Sequence, residues 1–298
     1  MPRLARQFVL KAAEPRPGTP LDRAVRGAIA ARGRSLLRVY AHAIDDQRCG
    51  PRAVHKLRSG VRRLETALAA GEPCLDHDRL VSVRKLTRAV RRLAGPVRDA
   101  DVLAALSEDV LPVCPERDQW IESLRKQRRR AARRLKALRD KSPAERLWRR
   151  LRKLLADVRV PQGQRTWSDA WSEDARRLLD RVRLAAGAEM TSDDELHALR
   201  IELKRLKYAL EIFRACLRSA EWKPIMAAVS DLVELFGRFN DASVLTSALQ
   251  GQPAVLRSAS GAALAQLRGQ VLNTLRRGEL SRLLKRLDPS ATGYARVR

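Results

Sequence analysis

The sequence predicts an all-α fold in two related halves, and three observations carry that prediction. The first is composition. Of 298 residues 45% are hydrophobic but only 4% aromatic, and Ala, Leu and Arg dominate while β-branched runs are scarce, a mixture that favours helix almost throughout. The second is periodicity, with apolar residues recurring at three- and four-residue spacing. The third is an internal repeat. Val54–Leu68, VHKLRSGVRRLETAL, and Leu196–Leu210, LHALRIELKRLKYAL, share His, Arg and apolar positions at an offset of 142 residues.

A helix turns about 100° per residue. Val54, Leu57, Val61, Leu64 and Leu68 therefore fall on one face, as do Leu196, Leu199, Leu203, Leu206 and Leu210. Beside each apolar seam runs a polar stripe: His55, Arg58 and Arg62 in the first copy, and His197, Arg200 and Lys204 in the second, joined by Tyr208. A solvated basic face is the ordinary explanation for such a stripe. Here the His and both cationic positions recur in register with the core leucines. Cations crowded at the edge of a helix bundle also repel one another unless an anion joins them. The pattern favours anion binding.

In chain order, residues 1–18 read as an arm ending in EPRPG, with no signal-peptide pattern. Thr19-Pro20-Leu21-Asp22 has the form of a helix start, with a hydroxyl cap and Pro at the first position, and the helix runs to about Ile44. The first His helix spans about 52–70 and the next about 77–94, carrying Arg84, Arg88, Arg91 and Arg92. Gly95-Pro96 then reads as a C-cap and Asp99 as the N-cap of a short helix. Gly237 and Asp241 repeat this reading at the same offset, and capping outweighs any catalytic duty for these acids.

Residues 117–140 are the most basic segment, with no acid between Arg125 and Arg139. The seam spacing there puts Arg128 inward, between Arg125 and Arg129. An unpaired inward guanidinium is costly, so a wet groove or an anion is expected to meet it. Ser142-Pro143 starts a helix to about Val158, and Val160–Gln164 is the expected junction of the halves. A helix at about 168–187 follows. Ser192 with Glu195 forms a capping box ahead of His197, and further helices cover about 221–236, 241–250, 255–277 and 279–287. The expected organisation is an arm at 1–18, a repeat region at 19–287 (halves 19–160 and 165–287), and a tail at 288–298. Gln270, Val271 and Asn273 stand around the places of Arg128–Arg130, so the first half is expected to hold more of the ligand.

Lys and Arg number 61 against 34 Asp and Glu, a formal net charge of +27. That excess implies a polyanionic partner, and the preponderance of arginine suits bidentate phosphate contacts. No apolar stretch is long enough to span a bilayer. Four scattered cysteines without a C-x-x-C read as free thiols in a reducing, cytoplasmic setting.

The repeated H-x-L-R-x-x-x-R/K-R-L, each followed by L-x-G-x-x-x-D-A-x-V-L, resembles the CHAD family, the conserved-histidine α-helical domains, over roughly residues 20–287. The resemblance implies two pseudo-symmetric four-helix bundles with a basic groove or pore that binds inorganic polyphosphate, and association with polyphosphate granules. Matched position by position, it implies His55, Arg58, Arg62, Arg63 and Arg98 in the first half, and His197, Arg200, Lys204 and Arg205 in the second. Asn240 departs from the Arg98 pattern, and Glu65 stands where Lys207 is found in the second copy. Arg84, Arg88, Arg125, Arg128, Arg129 and Lys207 complete the candidate polyphosphate ligands. Family members that carry a catalytic triphosphate-tunnel domain have an E-x-E-x-K strand motif, which is absent here, so the hydrolase activity is not inherited.

The expected function is non-catalytic polyphosphate binding, with no cofactor and no membrane. A nonspecific nucleic-acid binder is the alternative and the weaker one, since the few aromatics do not interleave with the cations to stack bases. A metal-dependent hydrolase is disfavoured because a lone His among arginines repels a metal ion and no carboxylate shares the stripe. Oligomeric state is not legible.

Overall fold

The structure is a computed structural model that describes residues 14–45, 49–159, 165–187, 190 and 192–288. Most of the N-terminal arm, the junction at 160–164 and almost all of the tail lie outside the described residues. The helices are α1 (Leu21–Tyr40), α2 (Pro51–Ala70), α3 (His77–Val110), α4 (Pro115–Lys136), α5 (Ala144–Ala156), α6 (Trp167–Ala185), α7 (Asp193–Ile212), α8 (Ser219–Ala248), α9 (Ala254–Arg276) and α10 (Glu279–Leu287). A π-helical turn at Ala41–Asp45 extends α1, and single helical turns fill several of the connections.

The chain folds into two compact units. Among the described residues, one unit takes everything up to Asp99 together with Gln127–Trp171. The other takes Ala100–Lys126 together with everything from Ser172 onward. Both α3 and α4 therefore contribute to each unit.

In the first unit α1 packs on α2 and α5. The α2 seam predicted from spacing is fully buried, with Val54, Leu57, Val61, Leu64 and Leu68 at 0% exposure, and Leu36, Leu37, Leu151 and Leu154 are as deeply enclosed. In the second unit α8 packs on α7, α9 and α10. Its core holds the equivalent leucines of α7 with Phe236 and Phe239. A further cluster joins Leu111, Trp120, Ile121 and Leu124 to Leu245, Leu249 and Leu256, and the Trp120 indole N–H donates to the buried Ser107 hydroxyl at 3.0 Å.

The predicted helix breaks at Gly95 and Gly237 do not occur. Helices α3 and α8 run straight through them, with Pro96 inside α3, so neither glycine is a C-cap and neither Asp99 nor Asp241 is an N-cap. Tertiary burial overrides the local signal. Ala94, Val97 and Ala100 continue the buried face of α3 past the proline, as Phe236, Phe239 and Ala242 do in α8. Gly95 also lacks the Cβ that would meet the proline ring from the preceding residue.

The start of α1 differs too. Pro20 is the N-cap and makes no side-chain cap bond. Thr19 Oγ1 instead accepts from the Arg16 N–H at 2.9 Å, and the Leu21 N–H is satisfied by the Arg165 carbonyl at 2.9 Å. The Ser192–Glu195 capping box of α7 is present with both reciprocal bonds. Gly278, at φ +70°, supplies the left-handed turn between α9 and α10.

The two repeat glycines differ in what a side chain would meet. A Cβ on Gly237 has nothing within 4 Å, whereas one on Gly95 would lie 3.1 Å from Arg58 Nη1. Gly237→Ala is expected to stabilise the protein by about 0.5–1 kcal/mol through helix propensity. Gly95→Ala, beside Pro96 and under Arg58, is expected to give no gain. Urea denaturation of the two variants checks the difference.

Candidate functional site

The stripe positions on α2 and α7 each meet the repeat acid on the long helix that follows. Arg58 Nη2 lies 4.0 Å from Asp99 Oδ1, and Arg200 Nη2 lies 3.9 Å from Asp241 Oδ1. The 142-residue offset of the sequence thus returns as the same ion pair in both units. The acids answer the arginine of the neighbouring helix rather than the backbone of their own.

Both arginines are poorly hydrated. The Arg58 side chain is 22% exposed and that of Arg200 14%, against 62% for Asp99 and 37% for Asp241. Arg58 sits among other cations. Burial pulls its pKa below the ordinary arginine value, Asp99 opposes that pull, and Arg62, Arg98 and Arg91 add to it. A guanidinium does not give up its proton in a protein, so the downward direction reflects the enclosure of a fixed positive charge beside other cations. Asp99 faces Arg58 amid the guanidinium groups of Arg62, Arg98 and Arg91, and a further anion there would be stabilised.

The other candidates fall into three groups. Arg62, Arg63, Arg98, Lys204 and Lys207 are half-buried along the same helices, and His55, Arg88, Arg129 and His197 are exposed. A second group is held by acids. Arg84 makes a bidentate contact with Glu72 at 3.0 and 2.8 Å. Arg125 pairs with Glu108 at 3.2 Å, and Arg205 pairs with Glu202, which also takes Arg181 at 3.0 Å. The third group is Arg128 alone. Its Nη2 donates to the Cys49 carbonyl at 2.8 Å, so a backbone acceptor meets the inward-facing guanidinium. Arg125 belongs to a different unit from Arg128 and Arg129.

Two features escaped the sequence reading. Arg91 acts on Arg58, and its place one turn before Gly95 on the stripe-facing side of α3 was the signal that pointed to it. The second feature is the pair of partners of Glu65, a residue the sequence marked only as a departure from Lys207: it accepts from Arg91 at 3.0 Å and from Thr87 at 3.1 Å. In the second copy Lys207, Val229 and Val233 occupy those three places, so the first copy is partly neutralised at that point and the second is not.

The Arg84 pair carries a pH signature. The hydrogen bond from Arg84 holds the Glu72 carboxyl below its ordinary range. A depressed folded-state pKa gives stability that is complete above the unfolded value and is lost as pH falls through the folded one. Glu72→Gln is expected to lower stability at pH 7 by less than about 1 kcal/mol, since the pair is half exposed. The gap to wild type should close in acid, as read by denaturant melts across pH.

Among the described residues, no group of three or more His, Cys, Asp or Glu is placed to hold a metal ion, and no helix is long and apolar enough to cross a membrane. The four cysteines are free thiols.

A family model described as CHAD domain matches residues 28–250. The chain belongs to the CHAD domain family. The fold agrees with solved structures of similar size. The CHAD domain from the plant Ricinus communis aligns with a TM-score of 0.65 at 20% identity, covering 97% of this chain and 96% of that one. PptA from Streptomyces chartreusis aligns with a TM-score of 0.62 at 17% identity, covering 90% of this chain and 100% of that one. At these identities the likeness is one of fold. No curated protein matches the chain. The CHAD match takes in both His motifs and both repeat acids, so the paired Arg–Asp contacts lie inside the matched segment.

Proposed function

We propose that this CHAD protein binds inorganic polyphosphate without chemical turnover, through the cationic stripes of α2 and α7 and the cations of α3 beside them. The observation that supports this most is the crowding at Arg58: an enclosed guanidinium with Arg62, Arg91 and Arg98 around it and a mostly exposed Asp99 as the opposing acid. A phosphate chain carries about one negative charge per unit and presents several acceptor oxygens, which suits a row of guanidinium donors. The recurrence of the Arg–Asp contact in the second unit gives the chain two places to be held. A basic groove built from these positions and a location at polyphosphate granules follow from the family reading.

The test is direct binding of long-chain polyphosphate to the full chain, with double-stranded DNA at equal charge concentration as competitor, at near-physiological salt. Polyphosphate is expected to remain bound, and its affinity to fall steeply as salt rises through counterion release. Equal competition by DNA would instead favour the reading of a nonspecific nucleic-acid binder, for which net charge alone would suffice.

A further inference from the structure

The two repeat sites differ at one position, and the hydrogen bonds there fix more than a contact. In the second unit His197 Nδ1 lies 2.5 Å from Asn240 Oδ1. The amide nitrogen of Asn240 lies 3.3 Å from Asp241 Oδ1, the same oxygen that faces Arg200. A carboxylate only accepts, so Asp241 requires the NH₂ of Asn240, and the amide oxygen is thereby turned toward the imidazole. That oxygen also only accepts, so Nδ1 must carry the proton. The remaining nitrogen, Nε2, is then a lone pair when the ring is neutral and a donor only when the ring is charged.

An unrestrained histidine favours the opposite tautomer, with the proton on Nε2, so the Asp241–Asn240 pair reverses the default. Internal units of a phosphate chain have no titratable hydroxyl and can only accept. A neutral His197 therefore presents a lone pair to phosphate oxygen, and a protonated one presents a charged N–H. We infer that Asn240 is a positioning residue that makes His197 Nε2 a proton-gated phosphate contact. In the first copy the corresponding position is Arg98, a permanent cation that cannot accept from an imidazole N–H as the Asn240 amide oxygen does. The inference rests on the polyphosphate reading above.

Near His197 stand Asp241 behind Asn240 on α8 and, by helical spacing on α7, Arg200 one turn later with Asp193 and Asp194 one turn earlier. Asp193 is itself paired with Arg268 of α9 at 3.3 Å. The ring is exposed, so an anion can reach it. Histidine exchanges its proton between about pH 5 and 8. The contact is therefore made when the His197 ring is charged and lost when it is neutral.

The experiment has two arms on the full chain. Without ligand, ring ¹⁵N NMR above the histidine titration is expected to show His197 protonated at Nδ1, and Asn240→Ala to return it to the Nε2–H form. A wild-type ring already in the Nε2–H form overturns the inference. With long-chain polyphosphate at constant ionic strength, wild-type affinity is expected to rise as pH falls from about 8 to 5.5. His197→Ala should lose about three- to tenfold of that rise, and Asn240→Arg should replace it with a pH-independent contact. Binding with the same pH slope in His197→Ala overturns this inference alone. Absence of binding at every pH overturns it together with the function it rests on.

Discussion

Replacing Arg58 and Arg200 together by alanine is expected to weaken long-chain polyphosphate binding by about a hundredfold at near-physiological salt. A hydrogen bond to a charged group contributes about 1.5–3 kcal/mol, and solvent access reduces that to roughly 1.4 kcal/mol, or tenfold, for each arginine. Removing two phosphate-neutralising cations should also flatten the salt dependence, by a slope of about 1.4 on the single-strand scale. The fold should survive. Asp99 is mostly exposed and is rehydrated without Arg58. Asp241 is more enclosed, so Arg200→Ala carries the larger stability cost, on the order of 1 kcal/mol. Far-ultraviolet circular dichroism checks helicity alongside the binding isotherm. Undiminished affinity in a folded double variant would remove the site from consideration.

The second large effect separates the seam from the stripe within one helix. Leu64 is fully buried in α2, and Leu64→Ala is expected to cost about 2–5 kcal/mol as transfer and cavity terms add. Arg62, two residues earlier, is half-buried beside the Arg58 cluster. Arg62→Ala is expected to change stability by less than about 0.5 kcal/mol and to weaken polyphosphate binding severalfold. Thermal melts and binding isotherms on both variants should show opposite rankings. If Arg62→Ala proved as destabilising as Leu64→Ala, the stripe would be part of the core rather than a ligand surface.

Much of this was legible in the chain because helical periodicity is local. The seams of α2 and α7 follow from leucine spacing, and the capping box of α7 from Ser192 and Glu195 alone. The repeat is a matter of letters. So is the pairing of Gly95 with Gly237 and of Asp99 with Asp241, although their local reading as caps was overturned. Gly-Pro and Asp are strong stop and start signals in isolation. Here the apolar positions continue across them on the same face, and burial of that face outweighs the hydrogen bond that Pro96 removes from α3.

The tertiary structure decided which cations are committed and which are crowded. Nothing in the one-dimensional pattern distinguishes Arg84, clamped by Glu72, or Arg128, taken by the Cys49 carbonyl, from Arg58, enclosed with other arginines around it. Partners 12 residues away for Arg84 and 79 for Arg128 set those differences, because electrostatic energy depends on through-space distance and on desolvation, and neither is a function of sequence separation. In the same way Asn240 was visible only as a departure from the Arg98 pattern. Its meaning came from two contacts made at once, with His197 on a neighbouring helix and with Asp241 beside it. The sequence by itself determined the helical seams, the repeat and the excess of positive charge. Packing decided where that charge is enclosed and crowded.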